Sequence, residues 1–440
     1  MSRHFTRCVN VRCNMANENQ NIIGAGQDTG ASCAGIPKRK QREKESEQVT
    51  LFDIEDNWKN EWWGMPEFSN DDIRPAYRLT VNFLTLEDKK MFAEKLQQFI
   101  SPQSDTIWYP SQERLSGCQF FYDGEKTDSK YPICIPSKGR ADVQTTGKVL
   151  DSMGVSYRFF VEEKEAEEYK KHLGSQRVVV MPFSDLGQGS IPARNFIWEW
   201  AKENGYKRHW TVDDNITEFR RTNITRRLRV KGGGFFKAME DFVDRYENIA
   251  IAGPHHLGFV KVGWSNIPPY LLNTRVYSCI LLDTTLPHRW RGRYNEDTDL
   301  SLRLLKDGYC SCVFAALLMN KAATVGVRNC EAMKGGNTDN VYNTGDSRLA
   351  FAESLKEQHP DCVEVVWKFN RWHHQVDYSR FKNKLILKQG ITKIMANNEY
   401  GMRLINAEES PVLGEESPAL DINEICHTAP NSGSTKAAQP

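Results

Sequence analysis

The sequence has no long apolar segment and almost no net charge. None of its 440 residues lies in an uninterrupted apolar run of the roughly 18 that a membrane-spanning helix needs. The N-terminal segment Met1–Met15 also lacks the apolar core of a secretory signal. With 58 basic and 57 acidic side chains the formal net charge is +1, so overall charge gives no reason to expect membrane or nucleic-acid binding. These absences predict a cytoplasmic protein without a membrane partner.

Paired metal-binding cysteines are missing as well. The 11 cysteines are scattered and contain no C-x-x-C pair. Cys8 and Cys13 have no second pair at the spacing of a zinc site, so the pattern favours reduced, buried thiols over structural zinc.

Composition divides the chain into polar ends and a strand–helix middle. Residues 1–50 are rich in Asn, Gln, Gly and Ser and then turn basic, and residues 405–440 are rich in Pro, Glu and Ser. Both segments have too few apolar residues to offset the entropy of ordering, which predicts disorder. Between residues 131 and 390, apolar strands alternate with amphipathic helices, which predicts an α/β domain with a Rossmann-like, mostly parallel sheet flanked by helices.

Residues 51–125 are predicted to form a small α+β accessory module. The alternation of apolar and polar residues over Tyr77–Phe83 predicts a half-buried strand. Thr85 followed by Asp88 predicts the capped start of a helix. The segment Glu61–Phe68 resembles a module found in phage proteins beside DNA-modifying domains, and the role of this module stays open.

An acidic cluster follows a buried strand of the predicted sheet. Asp213, Asp214 and Asn215 come directly after the apolar strand His209–Val212. Ligands of open α/β sheets bind beyond the carboxyl ends of the strands, and adjacent carboxylates suit a hard divalent cation that binds a diphosphate. The alternative is an acidic turn that caps the next segment.

A second acidic cluster lies at a predicted helix start. Glu296 and Asp297 precede the amphipathic segment Thr298–Lys306. A carboxylate there can act as a general base that removes a proton from an acceptor hydroxyl. The alternative is simple stabilisation of the helix N-terminus by negative charge.

A basic turn follows the first strand of the α/β domain, and it contains Pro136, Ser137, Lys138, Gly139 and Arg140. The glycine permits close backbone approach, and the hydroxyl and cationic groups suit phosphates. The spacing matches neither a Walker A sequence nor a dinucleotide fingerprint, which leaves a generic strand-to-helix turn as the alternative.

Two histidine pairs and two glycine runs complete the candidate features. His373 and His374 can bind a metal as neutral imidazoles, whereas His255-His256 can line an acceptor site. The runs 231–234 and 334–337 suit lids over a donor, with plain surface loops as the alternative. Arginines between residues 220 and 229 are the best local candidates for contact with a phosphate backbone.

The order of these parts resembles the GT-A glycosyltransferases, and most closely the TET-associated glycosyltransferases. The segments that carry the resemblance are Ile135–Ala141, Trp210–Asn215 and Tyr294–Arg303. The resemblance implies that the basic turn and Asp213 bind the nucleotide sugar, a UDP-sugar such as UDP-glucose. It implies that Asp214, Asn215 and either His373 or His374 bind Mn²⁺ or Mg²⁺, and that Asp297 or Glu296 is the base of an inverting reaction.

The implied acceptor is 5-hydroxymethylcytosine in DNA, and a phage-type enzyme would act in the cytoplasm of the bacterial host. Asn215 departs from the strict D-x-D pattern of the family, which leaves open whether Asp214 or Asn215 is the direct metal ligand. The alternative functions for this sequence are a protein or small-molecule glycosyltransferase, a sugar nucleotidyltransferase, and a non-catalytic binding module. The sequence does not specify the sugar or the oligomeric state.

Overall fold

The computed structural model describes residues 57–69, 77–110, 120–124, 126–223, 226–260, 267–322 and 347–406. The predicted disordered segment 1–50, nearly all of the predicted tail and the glycine run 334–337 lie outside these residues.

Seven α-helices and fourteen strands are formed by the described residues. The helices are α1 Leu86–Leu96, α2 Thr145–Met153, α3 Ala166–Leu173, α4 Ile191–Glu203, α5 Gly234–Asp244, α6 Glu296–Lys306 and α7 Ser347–Gln358. The strands are β1 Phe120–Asp123, β2 Ile133–Pro136, β3 Arg158–Glu162, β4 Val178–Met181, β5 Arg208–Val212, β6 Ile216–Asn223, β7 Arg226–Lys231, β8 Ile249–His256, β9 Tyr270–Leu272, β10 Cys279–Asp283, β11 Cys310–Lys321, β12 Val363–Lys368, β13 Arg371–Val376 and β14 Arg403–Asn406.

One large mixed sheet organises the molecule and confirms the α/β class. Its order is β14-β1-β7-β6-β11-β8-β10-β5-β2-β3-β4, with β9 paired to β11. The strands β5, β2, β3 and β4 are mutually parallel, as the strand–helix alternation predicted. The other half is mixed because β10 runs antiparallel to both β5 and β8, and β6 and β7 form an antiparallel pair.

Local sequence signals explain the helices beside the parallel half. The helix α2 ends at Gly154, which adopts the left-handed conformation (φ 65°) that glycine tolerates best. Pro192 lies in the first turn of α4, where its missing N–H costs nothing. The capping box predicted for Thr85 and Asp88 is present at the start of α1.

The central core forms on the face of the sheet that α5 covers. Phe235, Phe236 and Phe242 of α5 are fully buried, and Trp210 of β5 meets Phe236 edge to face at 5.2 Å between ring centroids. Trp62 also belongs to this core and stacks on Tyr270 at 6.0 Å.

The predicted accessory module is not uniform in its packing. Its tryptophan segment lies on the main domain, where Arg245 donates a hydrogen bond of 2.5 Å to the carbonyl oxygen of Trp63. The predicted strand over Tyr77–Phe83 is wrong, since no strand forms there and Tyr77 and Leu79 are exposed. Alternation alone did not identify a partner strand that could supply the hydrogen bonds of a sheet.

The glycine run 231–234 packs tightly instead of forming a lid. A Cβ atom on Gly233 would lie 1.5 Å from the carbonyl oxygen of Thr127, and one on Gly234 would lie 2.1 Å from that of Tyr400. These glycines allow the start of α5 to pass close to neighbouring backbone. None of the helices in the part of the chain described above is long and apolar enough to span a membrane.

Candidate active site

The first acidic cluster lies at the carboxyl end of β5, between the ends of β2 and β10. Its backbone is fixed from both sides, since Asp213 N–H donates to Ser278 O at 2.7 Å and Thr146 Oγ1 donates to Asp213 O at 2.6 Å. The cluster therefore has a defined position at the strand edge where open α/β sheets bind ligands.

Asp214 faces the basic turn after β2. Ser137 Oγ donates to its Oδ2 at 2.7 Å, and the Arg140 guanidinium forms an ion pair with its Oδ1. The Tyr169 hydroxyl lies 2.7 Å from Ser137 Oγ and completes the network. Burial raises the pKa of Asp214, and the charge of Arg140 and the hydrogen bond from Ser137 offset this only in part.

Asp213 faces the opposite side and is held by two cations. Arg194 Nη2 lies 3.0 Å from Oδ1, and Lys321 Nζ lies 3.3 Å from Oδ2. Burial alone would raise the pKa of Asp213, but the charges of Lys321 and Arg194 outweigh it and the pKa is lowered. Sequence reasoning missed both cations.

Arg194 joins the two acidic clusters into one site, which we call the cleft. The nitrogen that contacts Asp213 also lies 3.9 Å from Glu296 Oε1, and Ser190 Oγ donates to that same oxygen at 3.0 Å. Burial raises the pKa of Glu296, the charge of Arg194 opposes this, and the neighbouring Asp297 adds to it. Carboxylates about eighty residues apart in the chain thus face one guanidinium.

The remaining residues of the basic turn point toward other partners. Lys138 Nζ forms ion pairs with Glu162 at 2.8 Å and with Asp185 at 2.7 Å. The Gly139 N–H donates to Glu165 at 2.8 Å, and this glycine adopts a φ of 65°. Pro136 ends β2. Of the basic turn, Ser137 and Arg140 are the residues with described contacts to the acidic cluster.

Asp297 lies near a group of polar and aromatic side chains. Its charge acts on Arg275, Tyr277, His374 and Tyr378. Burial lowers the pKa of His374 to about 4, and Arg275 lowers it as well, whereas Asp297 opposes the shift. His374 is therefore a neutral imidazole near pH 7.

His373 lies outside this group. Its Nε2 accepts a hydrogen bond of 2.9 Å from Arg371, and its ring approaches Phe369 at 6.1 Å. Consecutive residues of a strand face opposite sides, which explains why only one histidine of the pair reaches the charges around Asp297.

The earlier histidine pair lies beside Tyr277 and Lys321, and we call this group the rim. His256 stacks on Tyr277 at 6.3 Å between ring centroids, and Lys321 Nζ lies 6.0 Å from the centroid of the same tyrosine. Burial lowers the pKa of His255 to about 4, with further lowering by His256 and Arg275. The rim thus offers neutral imidazoles beside cations, which suits a polar uncharged acceptor.

Asp299 holds the helix start in place and was not singled out from the sequence. Its side chain is 1% exposed and binds Arg291, Arg303 and His359, each at 2.9 Å. Burial would raise the pKa of Asp299, but hydrogen bonds from His359 and Arg291 and the charge of Arg303 lower it to about 2. Asp299 thus ties the first turn of the helix to these side chains, whereas Asp297 accepts a hydrogen bond from the Thr298 N–H of that turn at 2.7 Å.

The donor atoms at the end of β5 are of the type that a hard divalent cation binds, and their carboxylate oxygens already contact Ser137, Arg140, Arg194 and Lys321. Two carboxylates and the Asn215 side-chain carbonyl are oxygen ligands of the kind that Mg²⁺ and Mn²⁺ prefer. Asn215 Oδ1 is buried and has no hydrogen-bond partner among the described residues. No described contact joins His373 or His374 to Asp214 or Asn215.

A further group of ligand-type residues does not fit a metal. His359, Asp361 and Cys362 place possible ligand atoms within 4.8 Å of one another. Lys306 Nζ already lies 3.1 Å from His359 Nδ1 and 2.6 Å from Asp361 Oδ1, so an ammonium supplies the positive charge there.

The arginine-rich hairpin β6–β7 uses much of its charge inside the protein. The Arg221 side chain is 3% exposed and binds Glu399 at 2.5 Å. Arg227 donates to the carbonyl oxygen of Leu257 at 2.8 Å. These two cations join elements of the fold, so they are unavailable to a phosphate backbone.

The sequence also offers three aromatic residues, Trp264, Trp290 and Tyr294, that could stack on a base that has left the duplex. Trp290 is 2% exposed and lies under Arg194, 4.8 Å from ring centroid to guanidinium carbon. Tyr294 stacks on Phe351 at 3.9 Å. Trp264 lies outside the described residues.

Comparison with known proteins identifies the domain that contains this cleft. Residues 131–330 match the family described as TET-Associated Glycosyltransferase. Among curated proteins, none matches the chain. Among solved structures, a candidate nucleotide-diphospho-sugar transferase from Desulfovibrio desulfuricans G20 is 11% identical, with a TM-score of 0.26 over 50% of this chain and 96% of that chain. A TM-score this low supports no conclusion about fold or function. Through residues 131–330, the chain carries a domain of the TET-associated glycosyltransferase family.

Proposed function

We propose that this chain transfers a sugar from a nucleotide-sugar donor to a hydroxyl group, with 5-hydroxymethylcytosine in DNA as the acceptor. The observation that carries the proposal is the contact of Arg194 with both Asp213 and Glu296, within a domain of a glycosyltransferase family. This contact puts the acidic strand end and the acidic helix start into one cleft, as a GT-A-type reaction requires.

The donor diphosphate binds at the cationic side of the cleft. Arg140, Arg194 and Lys321 surround the carboxylates at the end of β5, and Ser137 supplies a hydroxyl. Guanidinium groups bind phosphate oxygens with two parallel hydrogen bonds, and fixed cations stabilise the negative charge that develops on a departing diphosphate. UDP is the nucleotide that we propose for the donor.

Asp297 is the proposed general base. Glu296 faces Arg194 and the donor side, whereas the charge of Asp297 acts on Arg275 and Tyr277 beside the rim. The acceptor oxygen forms a bond to the anomeric carbon while the bond from that carbon to the diphosphate oxygen breaks. The acceptor proton passes to Asp297, and the leaving diphosphate keeps the bonding electron pair. Attack opposite to the leaving group inverts the anomeric configuration.

A divalent cation held by Asp214 and Asn215, with Asp213 beside them, would add positive charge next to the diphosphate. His374 is better placed to orient Asp297 or the acceptor than to complete that ligand set, because Arg275 and Asp297 are the charges that act on it. Ser137 and Arg140 keep the Asp214 carboxylate oriented in either case.

The test is a transfer assay with the full chain, UDP-glucose, Mn²⁺ and duplex DNA that contains 5-hydroxymethylcytosine. We expect UDP release and a nucleoside with the added mass of one hexose, and neither with unmodified DNA. Asp297→Asn is expected to lower both by at least about 100-fold. Glu203→Gln, which changes an exposed carboxylate at the end of α4, serves as the control.

Each alternative reading gives a different result in the same assay. A protein or small-molecule acceptor would leave the DNA unmodified but release UDP when cell extract is added. A non-catalytic module would bind UDP-glucose without release, and a nucleotidyltransferase would consume a nucleoside triphosphate and a sugar phosphate. Retention of the anomeric configuration in the product would contradict the role of Asp297 as the base of a single displacement.

A further inference from the structure

The hairpin β12–β13 ends in a strained, aromatic turn. Lys368 pairs with Arg371, and the two residues between them, Phe369 and Asn370, have φ angles of 51° and 57°. Two-residue turns with both φ angles positive usually contain asparagine and glycine, and a bulky residue in this conformation is a genuine outlier. Such strain persists where a site requires it.

The hairpin exposes large aromatic side chains that the core does not use. Phe369 is 87% exposed and Trp367 is 55% exposed. Trp367 meets Trp372 of the opposite strand edge to face at 5.1 Å between ring centroids. Exposed aromatic groups held together in this way mark an interaction surface.

Positive charge is interleaved with these rings. Lys368 and Arg371 flank the turn, and the charges of both, together with Arg348 of α7, act on His373. No carboxylate occurs among residues 365–375. Alternating aromatic and cationic side chains are the pattern of surfaces on which nucleic-acid bases stack while cations contact the phosphates.

The base of the hairpin adjoins the candidate active site. His374, which faces the charges of Asp297 and Arg275, lies opposite Val365 on the hairpin. His374 lies four residues along the strand from Asn370 of the turn, a distance of roughly 13 Å. Phe351 of α7, the helix that packs on the hairpin, stacks on Tyr294 just before α6. The hairpin therefore extends away from the proposed base over a length that a few nucleotides can span.

We propose that residues 365–375, the aromatic hairpin, bind unpaired bases of a nucleic acid and so deliver the acceptor strand to the cleft. Phe369 and Trp367 stack on bases, and Lys368 and Arg371 contact phosphates. This inference rests on the proposed function only in its choice of acceptor. Chemistry on a base requires that the base leave the duplex, and stacking on an exposed ring compensates for part of the unstacking.

The test measures binding of the full chain to a fluorescent single-stranded oligonucleotide by anisotropy at several salt concentrations. We expect Phe369→Ala and Trp367→Ala each to weaken binding at least about fivefold. Lys368→Gln and Arg371→Gln should each lower the slope of log affinity against log salt by about one. The matched control is Phe99→Ala, since Phe99 is 94% exposed and lies outside the hairpin.

Several outcomes would overturn the inference. These are wild-type affinity in Phe369→Ala and Trp367→Ala, equal losses in Phe99→Ala, and no binding of the wild-type chain to any oligonucleotide. If the wild-type hairpin binds a protein, the hairpin variants lose that binding and neither binds DNA, the hairpin is a protein-docking element. Hairpin-dependent DNA binding without sugar transfer would contradict the proposed function and leave this inference standing. The urea midpoint of unfolding, followed by circular dichroism, should be unchanged in all hairpin variants, which shows that they fold.

Discussion

Two aspartates in the first turn of α6 should respond differently to substitution by asparagine: one variant should lose activity and the other should lose stability. In Asp297→Asn, the amide oxygen can still accept the hydrogen bond that Thr298 N–H donates to Asp297 Oδ1 at 2.7 Å. We therefore expect stability within about 0.5 kcal/mol of wild type. The amide cannot accept the acceptor proton, so turnover should fall by about 100- to 10,000-fold.

In Asp299→Asn the loss should be one of stability. Asp299 is 1% exposed, forms ion pairs with Arg303 and Arg291, and lies 2.9 Å from His359 Nε2. Breaking a buried ion pair costs about 3–5 kcal/mol, and the lower end applies here because the Arg291 side chain is 51% exposed and regains water. With a urea m-value of about 3 kcal/mol/M, the midpoint of unfolding should fall by about 1 M.

Stability is measured by urea unfolding monitored with circular dichroism. Turnover is measured as UDP release without urea, at a temperature at which both variants are folded. The reasoning is refuted if Asp299→Asn unfolds at the wild-type midpoint. It is equally refuted if Asp297→Asn keeps more than about one tenth of wild-type turnover, since loss of a general base removes far more.

Three further variants or conditions probe other parts of the account. Arg194→Gln should weaken donor binding and lower turnover together, measured as KM and kcat for UDP-glucose, because two carboxylates of the cleft lose their shared cation. Gly233→Ala should lower the free energy of unfolding by several times the roughly 1 kcal/mol expected for Gly205→Ala, because its Cβ would lie 1.5 Å from Thr127 O whereas Gly205 has open space. The lowered pKa of Asp299, about 2 against an ordinary 3.8, stabilises the fold above pH 4. About 2 kcal/mol of that stability should be lost as pH falls from 4 to 2, and Asp299→Asn should flatten this part of the pH–stability profile.

The sequence predicted the parallel half of the fold well because its signals are local. Apolar runs such as Val178–Met181, and helix ends marked by Gly154, need no knowledge of distant partners. The acidic residues at the end of β5 and at the start of α6 were likewise visible as strand and helix termini. Their convergence depends on strand order, and the topology now shows β5 beside both β2 and β10.

The missed features depend on tertiary contacts that leave no periodic signal. Arg194 lies in an amphipathic helix, yet it is buried by Trp290 and two carboxylates that are distant in sequence. Lys321 is the last residue of β11, a strand of 12 residues whose long apolar run does not by itself distinguish strand from helix. The hairpin β6–β7 is rich in arginine, which concealed its strands and suggested solvent-facing charge.

The same reasoning explains why alternation misled in the N-terminal region. Tyr77–Phe83 has the pattern of a strand but pairs with no described strand, and Tyr77 is 95% exposed. Trp62 and Met65, in contrast, lie in a segment without period and enter the main core. Burial there follows from contacts with α5 and β9, which the local sequence does not encode.

The central claim is that the cleft between β5 and α6 transfers a sugar from a nucleotide donor. Mass spectrometry of nucleosides, after the full chain has acted on hydroxymethylated DNA with UDP-glucose, tests it most directly. The account predicts a hexosylated nucleoside with the wild-type chain and with Glu203→Gln, and at least about 100-fold less of it with Asp297→Asn. The same product in Asp297→Asn at the wild-type rate, or transfer that survives simultaneous loss of Asp213, Asp214 and Glu296, would contradict it.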